Sequence, residues 1–320
     1  MAEIRFLATA PIGKTAVDIL QQIAPVHVSP TTDDQAILSR LSGTIGLICR
    51  GEGRATRQII ESAQELRVIG RPGVGYDNVD VAAATNFKIP VIIAPVGGFA
   101  VAEGALALLL GLVKQLPLCG QVVQSGNWRR RYEIETGDLA DHTLGIIGLG
   151  RIGSHLARLA QPFGMTVLGY DPGFVSQEAL SMNVGVVGLE ELLERSDYVS
   201  IHVPLNDQTR GMINRERIAS MKPGAVLINT ARGAVMESLD VLADALESGQ
   251  LSGVGLDVFP TEPPDHSHRI FRHSCCVCAP HVVGTSKLAM ERIYRSMAND
   301  MVAVIQGRRP TFCVNPEVFE

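Results

Sequence analysis

Apolar residues along this chain come in short unbroken runs separated by amphipathic stretches, and the alternation persists from end to end. Runs of this kind stand at 4–8, 45–50, 67–70, 91–94, 144–148, 166–170, 198–203, 225–230, 253–258 and 275–279. Continuous rather than alternating apolar character predicts parallel strands buried on both faces. Helical spacing fills the intervals, as over 151–163, 189–195 and 238–248. Strand and helix in such order predict a doubly wound α/β chain.

Two longer helical segments interrupt this rhythm. One runs from about 100 to 125, where Leu106, Leu108, Leu109, Leu110, Leu112 and Val113 leave it apolar nearly all round; the other runs from about 286 to 306. A helix apolar on most faces must be buried, and a junction between domains or subunits is the usual place. A chain of 320 residues is long enough for two domains. The pattern predicts that they interleave: 99–285 form one, and 1–98 plus 286–320 form the other.

The most specific local signal lies at the start of the inserted domain. An apolar strand runs into Gly148-Leu-Gly150-Arg151-Ile152-Gly153, a helical pattern follows, and the next strand ends on Asp171. Gly148 permits a tight strand-to-helix turn, Gly150 lets backbone amides approach a pyrophosphate, and Gly153 lets the helix lie close on the sheet. Asp171, 18 residues beyond Gly153, is placed to accept hydrogen bonds from a ribose diol. A lone Gly-x-Gly-x-x-Gly is weak, but strand, helix, second strand and terminal acid in register predict a dinucleotide site.

Composition narrows the alternatives. Apolar residues make up 46% and charged residues 19%, as in a well-cored globular chain. The net charge is −5, which offers no basic surface for nucleic acid. No apolar run reaches the length of a membrane span, and the first residues lack a signal-peptide pattern, so a cytoplasmic protein is expected. Of six cysteines, Cys275, Cys276 and Cys278 share one strand-like run. Alternation puts Cys276 and Cys278 on one face and Cys275 on the other, a poor geometry for one metal ion even with His266, His268, His273 and His281 near. No metal is expected, and these cysteines read as small buried residues.

Polar groups gather at the C-terminal ends of the predicted strands, where a doubly wound fold binds its ligands. They lie in Arg71–Asp80, 203–210, 229–233, 256–263 and Ala279-Pro280-His281. The set offers a guanidinium, carboxylates and an imidazole, enough to bind a carboxylate and move a proton beside a nicotinamide ring. At this point the sequence resembles the D-isomer-specific 2-hydroxyacid dehydrogenase family. GRPGVGYDNVD, GLGRIG, HVPLNDQTRGMIN, INTARGAVM, GLDVFPTEPP and APHVVGTS match its motifs in order across essentially the whole chain.

The resemblance implies a Rossmann-type NAD-binding domain inserted into a flavodoxin-like substrate domain. It further implies that Arg232 binds the substrate carboxylate and polarises its carbonyl, that His281 is the general acid/base, and that Glu262 is its partner. Val74 and Gly75 correspond to backbone donors for the carboxylate. Cofactor contacts are implied for the glycine-rich turn with Arg151 and Ile152, for Asp171, for His202, Val203, Pro204 and Thr209, and for Thr230, Ala231, Asp257 and Gly284.

The implied reaction interconverts a D-2-hydroxy acid and its 2-keto acid with NAD. Arg50, the GRPGVGYDNVD turn and Trp128–Arg131 point within the family to the 3-phosphoglycerate dehydrogenases, without their appended regulatory domain; glyoxylate or hydroxypyruvate reduction stays open. The family also implies a homodimer, in which Arg130 or Arg131 of one subunit and Arg50 of the other would hold a second anionic group. The rival reading of three successive arginines is a solvated loop. Asp77 and Asp80 read as turn and capping groups, His266, His268 and His273 as an exposed loop, and His142 and His155 as surface residues. A rival function is an NAD(H)-sensing corepressor of the same fold.

Overall fold

The structure, a computed structural model, describes residues 4–173 and 183–320. It divides into two compact units, Met1–Gly97 with Ser286–Glu320, and Gly98–Thr285. Each unit is built on a wholly parallel sheet between helices.

The first unit carries β1 (Arg5–Ala8), β2 (Val26–Val28), β3 (Thr44–Ile48), β4 (Val68–Gly70) and β5 (Val91–Ile92) in the order β2-β1-β3-β4-β5. This is the flavodoxin-like order. Phe6, Leu7, Leu47 and Ile69 are fully buried, as continuous apolar strands require. The helix Lys287–Ile305, capped by the Ser286 hydroxyl accepting from the Ala289 amide, returns the chain to this unit and buries Tyr294, Met297 and Met301 among Phe6, Ile48 and Ile92. The C-terminal tail closes the β5 edge. Asn315 accepts from the Val91 amide at 2.8 Å and donates to the Ile89 carbonyl at 3.0 Å, and the Val314 amide donates to the Val91 carbonyl. An edge protected in this way has no free ladder to offer another chain.

The second unit carries β6 (Thr143–Ile147), β7 (Thr166–Tyr170), β8 (Gly185–Val186), β9 (Tyr198–Ile201), β10 (Ala225–Asn229), β11 (Leu251–Leu256) and β12 (Cys276–Cys278) in the order β12-β11-β10-β9-β6-β7-β8. Strand order reverses between β6 and β9, the switch point at which dinucleotides bind. Both sheets match the predicted class.

The pattern missed β2 and β8. Both are edge strands of two or three residues with exposed positions, so neither presents a continuous apolar run. It also predicted one helix over about 100–125. The structure has two, Gly98–Val113 and Leu116–Gln124, bent by 57°. Gln115 adopts a left-handed φ of 48°, Pro117 stands in the first turn of the second helix, and the Lys114 ammonium leaves to meet Asp138 at 2.7 Å. Among the described residues no single helix is long and apolar enough to cross a membrane. The apolar character of Gly98–Val113 is accounted for by burial of Ala102, Ala105, Leu108 and Leu109 in its own unit.

Candidate active site

The glycine-rich turn shows why its residue types are required. Gly148 has a φ of 100°, and a Cβ there would stand 2.7 Å from the His202 carbonyl at the end of β9. A Cβ on Gly153 would lie 1.9 Å from the Gly148 carbonyl oxygen, so any side chain would push the helix Arg151–Ala160 off its strand. A Cβ on Gly150 meets nothing within 4 Å, and the helix begins there without a side-chain cap. Open space before uncapped helical amides suits a phosphate group. Asp171, at the end of β7, accepts from the Leu149 amide at 2.8 Å and from the Gly173 amide at 2.9 Å. Its carboxylate thus also ties the glycine-rich turn to β7. The sequence after Asp171, Pro172-Gly-Phe-Val175, holds no arginine to offset its charge, and Phe174 and Val175 lie outside the described residues.

The C-terminal ends of β9 to β12 bring together most of the remaining predicted groups. His202 lies among buried neighbours, its Nε2 2.9 Å from the Ser200 hydroxyl and its Nδ1 3.5 Å from the Thr230 hydroxyl. Burial lowers its pKa to about 3, so the ring is neutral at physiological pH. Val203 and Ala231 are buried beside it. Thr209 lies in the loop that follows β9. It is fully buried, and its hydroxyl donates to the Pro204 carbonyl at 2.6 Å and accepts from the Asn206 amide at 2.9 Å. It shapes the loop from Pro204 to Thr209.

Arg232 follows β10. Asn229, fully buried, holds the turn on both sides: its Oδ1 accepts from the Ala231 amide at 3.0 Å and its Nδ2 donates to the Arg232 carbonyl at 2.9 Å. Sequence reasoning passed over Asn229, although an amide ending the apolar run Ala-Val-Leu-Ile was a visible signal. A Cβ on Gly233 would lie 1.9 Å from the Phe259 carbonyl carbon, so the Arg232 segment rests directly on the backbone that leads to Glu262.

Glu262 uses both oxygens. Oε1 accepts from the Phe259 amide at 3.0 Å, and Oε2 lies 2.8 Å from His281 Nδ1. The two side chains are 38% and 49% exposed. An ion pair so accessible adds at most about 1 kcal/mol to stability, so its consequence is orientation of the ring. His281 itself has a left-handed φ of 57°, which costs a non-glycine residue roughly 1–2 kcal/mol. Asp257 supports that turn. It is 3% exposed, and its Oδ1 accepts from the Val282 amide at 2.8 Å and the Val283 amide at 3.3 Å. Burial raises its pKa against the pull of those amides. The role implied for Asp257 was cofactor contact; in the structure its carboxylate is engaged with the backbone beyond His281. Gly284 closes the turn against Val101, which a Cβ would meet at 2.7 Å.

In the first unit, Arg50 follows β3. Its amide donates to the Thr9 hydroxyl at 3.0 Å, its guanidinium donates to the Pro11 carbonyl, and it stands 6.0 Å from the centre of the Tyr294 ring. Val74, 49% exposed, and Gly75 lie in the open turn after β4. Arg130 belongs to the exposed 3-10 helix Trp128–Glu133 and pairs with Glu133 at 3.2 Å, while Arg131 stacks over Trp128 and Tyr132. Asp80 caps the helix Val81–Asn86, as read from sequence. His268 and His273 are half-buried rather than loop-exposed, 3.4 Å from Asp240 and 3.5 Å from Glu247. No metal-binding cluster occurs among the described residues. A cavity of about 520 Å³ beside Leu112, Glu135, Lys222 and Cys275 opens at the N-terminal ends of the second sheet's strands, away from these groups.

Residues 106–283 match the D-isomer specific 2-hydroxyacid dehydrogenase family, NAD binding domain, and the chain belongs to that family. A D-3-phosphoglycerate dehydrogenase of Methanocaldococcus jannaschii is 35% identical over 98% of this chain, which spans 59% of that relative's length. A solved glyoxylate reductase from Paecilomyes thermophila superposes with a TM-score of 0.89 at 27% identity, covering 99% of this chain and 100% of the other. A D-lactate dehydrogenase from Aquifex aeolicus, solved with NAD and lactic acid, gives 0.84 at 29% identity, covering 95% of this chain and 96% of that one.

Proposed function

We propose that this chain is a cytoplasmic NAD-dependent dehydrogenase that interconverts a D-2-hydroxy acid and its 2-keto acid, with substrates carrying a second anionic group, such as 3-phosphoglycerate, preferred. The observation that carries the reading is the His281 Nδ1 to Glu262 Oε2 contact of 2.8 Å on the loop supported by Asp257. With Nδ1 held by the carboxylate, Nε2 is the nitrogen free to take the hydroxyl proton of the substrate. Glu262 fixes the tautomer and stabilises the imidazolium that results. The Arg232 guanidinium grips the planar substrate carboxylate with paired hydrogen bonds and polarises the keto group in the reverse direction. NAD held at the switch point would supply the acceptor for the hydride of C2. The backbone of Gly148 to Gly153 would hold its pyrophosphate, and Asp171 the adenosine ribose. Steady-state turnover on a panel of 2-keto acids with NADH tests the reading; no turnover on any of them overturns it.

NAD is expected to be preferred over NADP by at least about tenfold in kcat/KM. The Asp171 carboxylate repels a 2′-phosphate, and a single uncompensated contact of that kind exceeds 1.4 kcal/mol. Equal kcat/KM with the two cofactors would exclude this, and an Asp171→Ala variant should narrow the gap.

The second anionic group is assigned to Arg50 and Arg130. The Arg130–Glu133 pair is exposed and therefore weak, so a phosphate or sulfonate can replace it. Arg130 is taken to act from a second copy of the chain. Support for a dimer comes from Leu116, Val123, Trp128 and Tyr132, which are 58%, 62%, 59% and 79% exposed along one stretch of the second unit. Arg50→Ala and Arg130→Ala should each raise KM about tenfold or more for dianionic or trianionic substrates while leaving KM for glyoxylate nearly constant. A monomer in light scattering, or equal effects on both substrate types, contradicts the assignment.

A further inference from the structure

The cysteines in and just before β12 are not the small core residues that the sequence pattern predicts. Cys275 and Cys278 are exposed and Cys276 is half-buried. Cys276 and Cys278 flank Val277 on one side of the strand with their sulfurs 3.4 Å apart, while Cys275 lines the cavity at the other end of the sheet. β12 is an edge strand whose one sheet neighbour is β11. Its last tie to β11 is the Ala279 amide donating to the Leu256 carbonyl at 2.8 Å, two residues before His281.

We propose that Cys276 and Cys278 are a peroxide-sensitive dithiol, a modification site that closes reversibly to a disulfide and displaces His281 as it does so. The Cys278 thiolate attacks a hydroperoxide: an S–O bond forms, the O–O bond breaks, and an alcohol or water leaves. The Cys276 thiol then attacks the Cys278 sulfur, forming S–S and breaking S–O, and water leaves with the thiol proton. The two thiols lose two electrons and the hydroperoxide gains them. The hydrogen bond from Cys276 holds the Cys278 thiol below its ordinary range and raises that of Cys276, which sets the order of attack.

The strand shortens to take up this bond. Same-face residues two apart in a strand have Cα atoms about 6.6 Å apart, at the long end of the roughly 4.4–6.8 Å found across disulfides and beyond their usual ~5.5–6 Å. Closure therefore puckers β12 and pulls on Ala279-Pro280-His281. A disulfide that is strained and exposed is also readily reduced, so the change reverses.

The full chain treated with hydrogen peroxide and digested with trypsin provides the test. One peptide, 273–287, holds Cys275, Cys276 and Cys278. It should lose two hydrogens, with the bond mapped to Cys276 and Cys278, and dithiothreitol should restore it. In Cys276→Ser, the same treatment should leave Cys278 as a sulfenic acid that dimedone captures. Retention of three thiols, or a bond engaging Cys275 or Cys119, overturns the site. This chemistry is independent of the proposed reaction; the activity reading rests on it. Turnover should fall about tenfold or more in step with the bond, as expected for a base moved by about 1 Å, and Cys276→Ser should resist that loss. Full activity of the disulfide form overturns the effect on His281.

Discussion

Replacing His281 with alanine is expected to lower kcat at least ~10²-fold, the usual scale for a lost general acid/base, with little change in NAD binding. The imidazole is held by a carboxylate on this loop, and its ring is accessible to a ligand. Glu262→Gln should act differently. The amide keeps a hydrogen bond to the ring but cannot stabilise the imidazolium, so the basic function is retained with its limb of the pH profile moved. Stopped-flow measurement of NADH formation separates the chemical step from product release. Near-normal single-turnover rates in His281→Ala would show that another group takes the proton.

Arg232→Ala is expected to reduce kcat/KM by roughly 10²–10⁴-fold. Two charge-assisted hydrogen bonds contribute about 1.5–3 kcal/mol each, and each 1.36 kcal/mol is a factor of ten in rate. Both kcat and KM should suffer, because one guanidinium binds the carboxylate and polarises the reacting carbonyl. Arg232→Lys should recover only part of the loss, since an ammonium cannot present two parallel donors. The Arg232 backbone is held through Asn229 and Gly233, so the alanine variant should keep the wild-type melting temperature; a large drop would mean that the side chain serves the fold instead. A KM effect with unchanged kcat would limit Arg232 to binding.

Much of this arrangement is written locally in the chain. Buried parallel strands need uninterrupted apolar runs, so the α/β class and ten of the twelve strand positions are visible in the sequence. The strand-turn-helix at Gly148 to Gly153 is equally local, because backbone φ and the absence of Cβ atoms depend on neighbours a few residues away. The edge strands β2 and β8 and the break at Gln115 were not legible. Two or three half-exposed residues carry no periodic signal, and a left-handed residue at Gln115 is imposed by what the Lys114 side chain and the following helix pack against. The identities of His281, Glu262, Asp257 and Asn229 are in the sequence, but their partners are not. The contact between Glu262 and His281 spans 19 residues and that between Asp257 and Val282 spans 25. Only the parallel registration of β10, β11 and β12 brings those strand ends side by side. The same registration exposes the β12 thiols at the sheet edge, which an apolar run of cysteines did not foretell, because burial depends on which strands flank a run and not on the run itself.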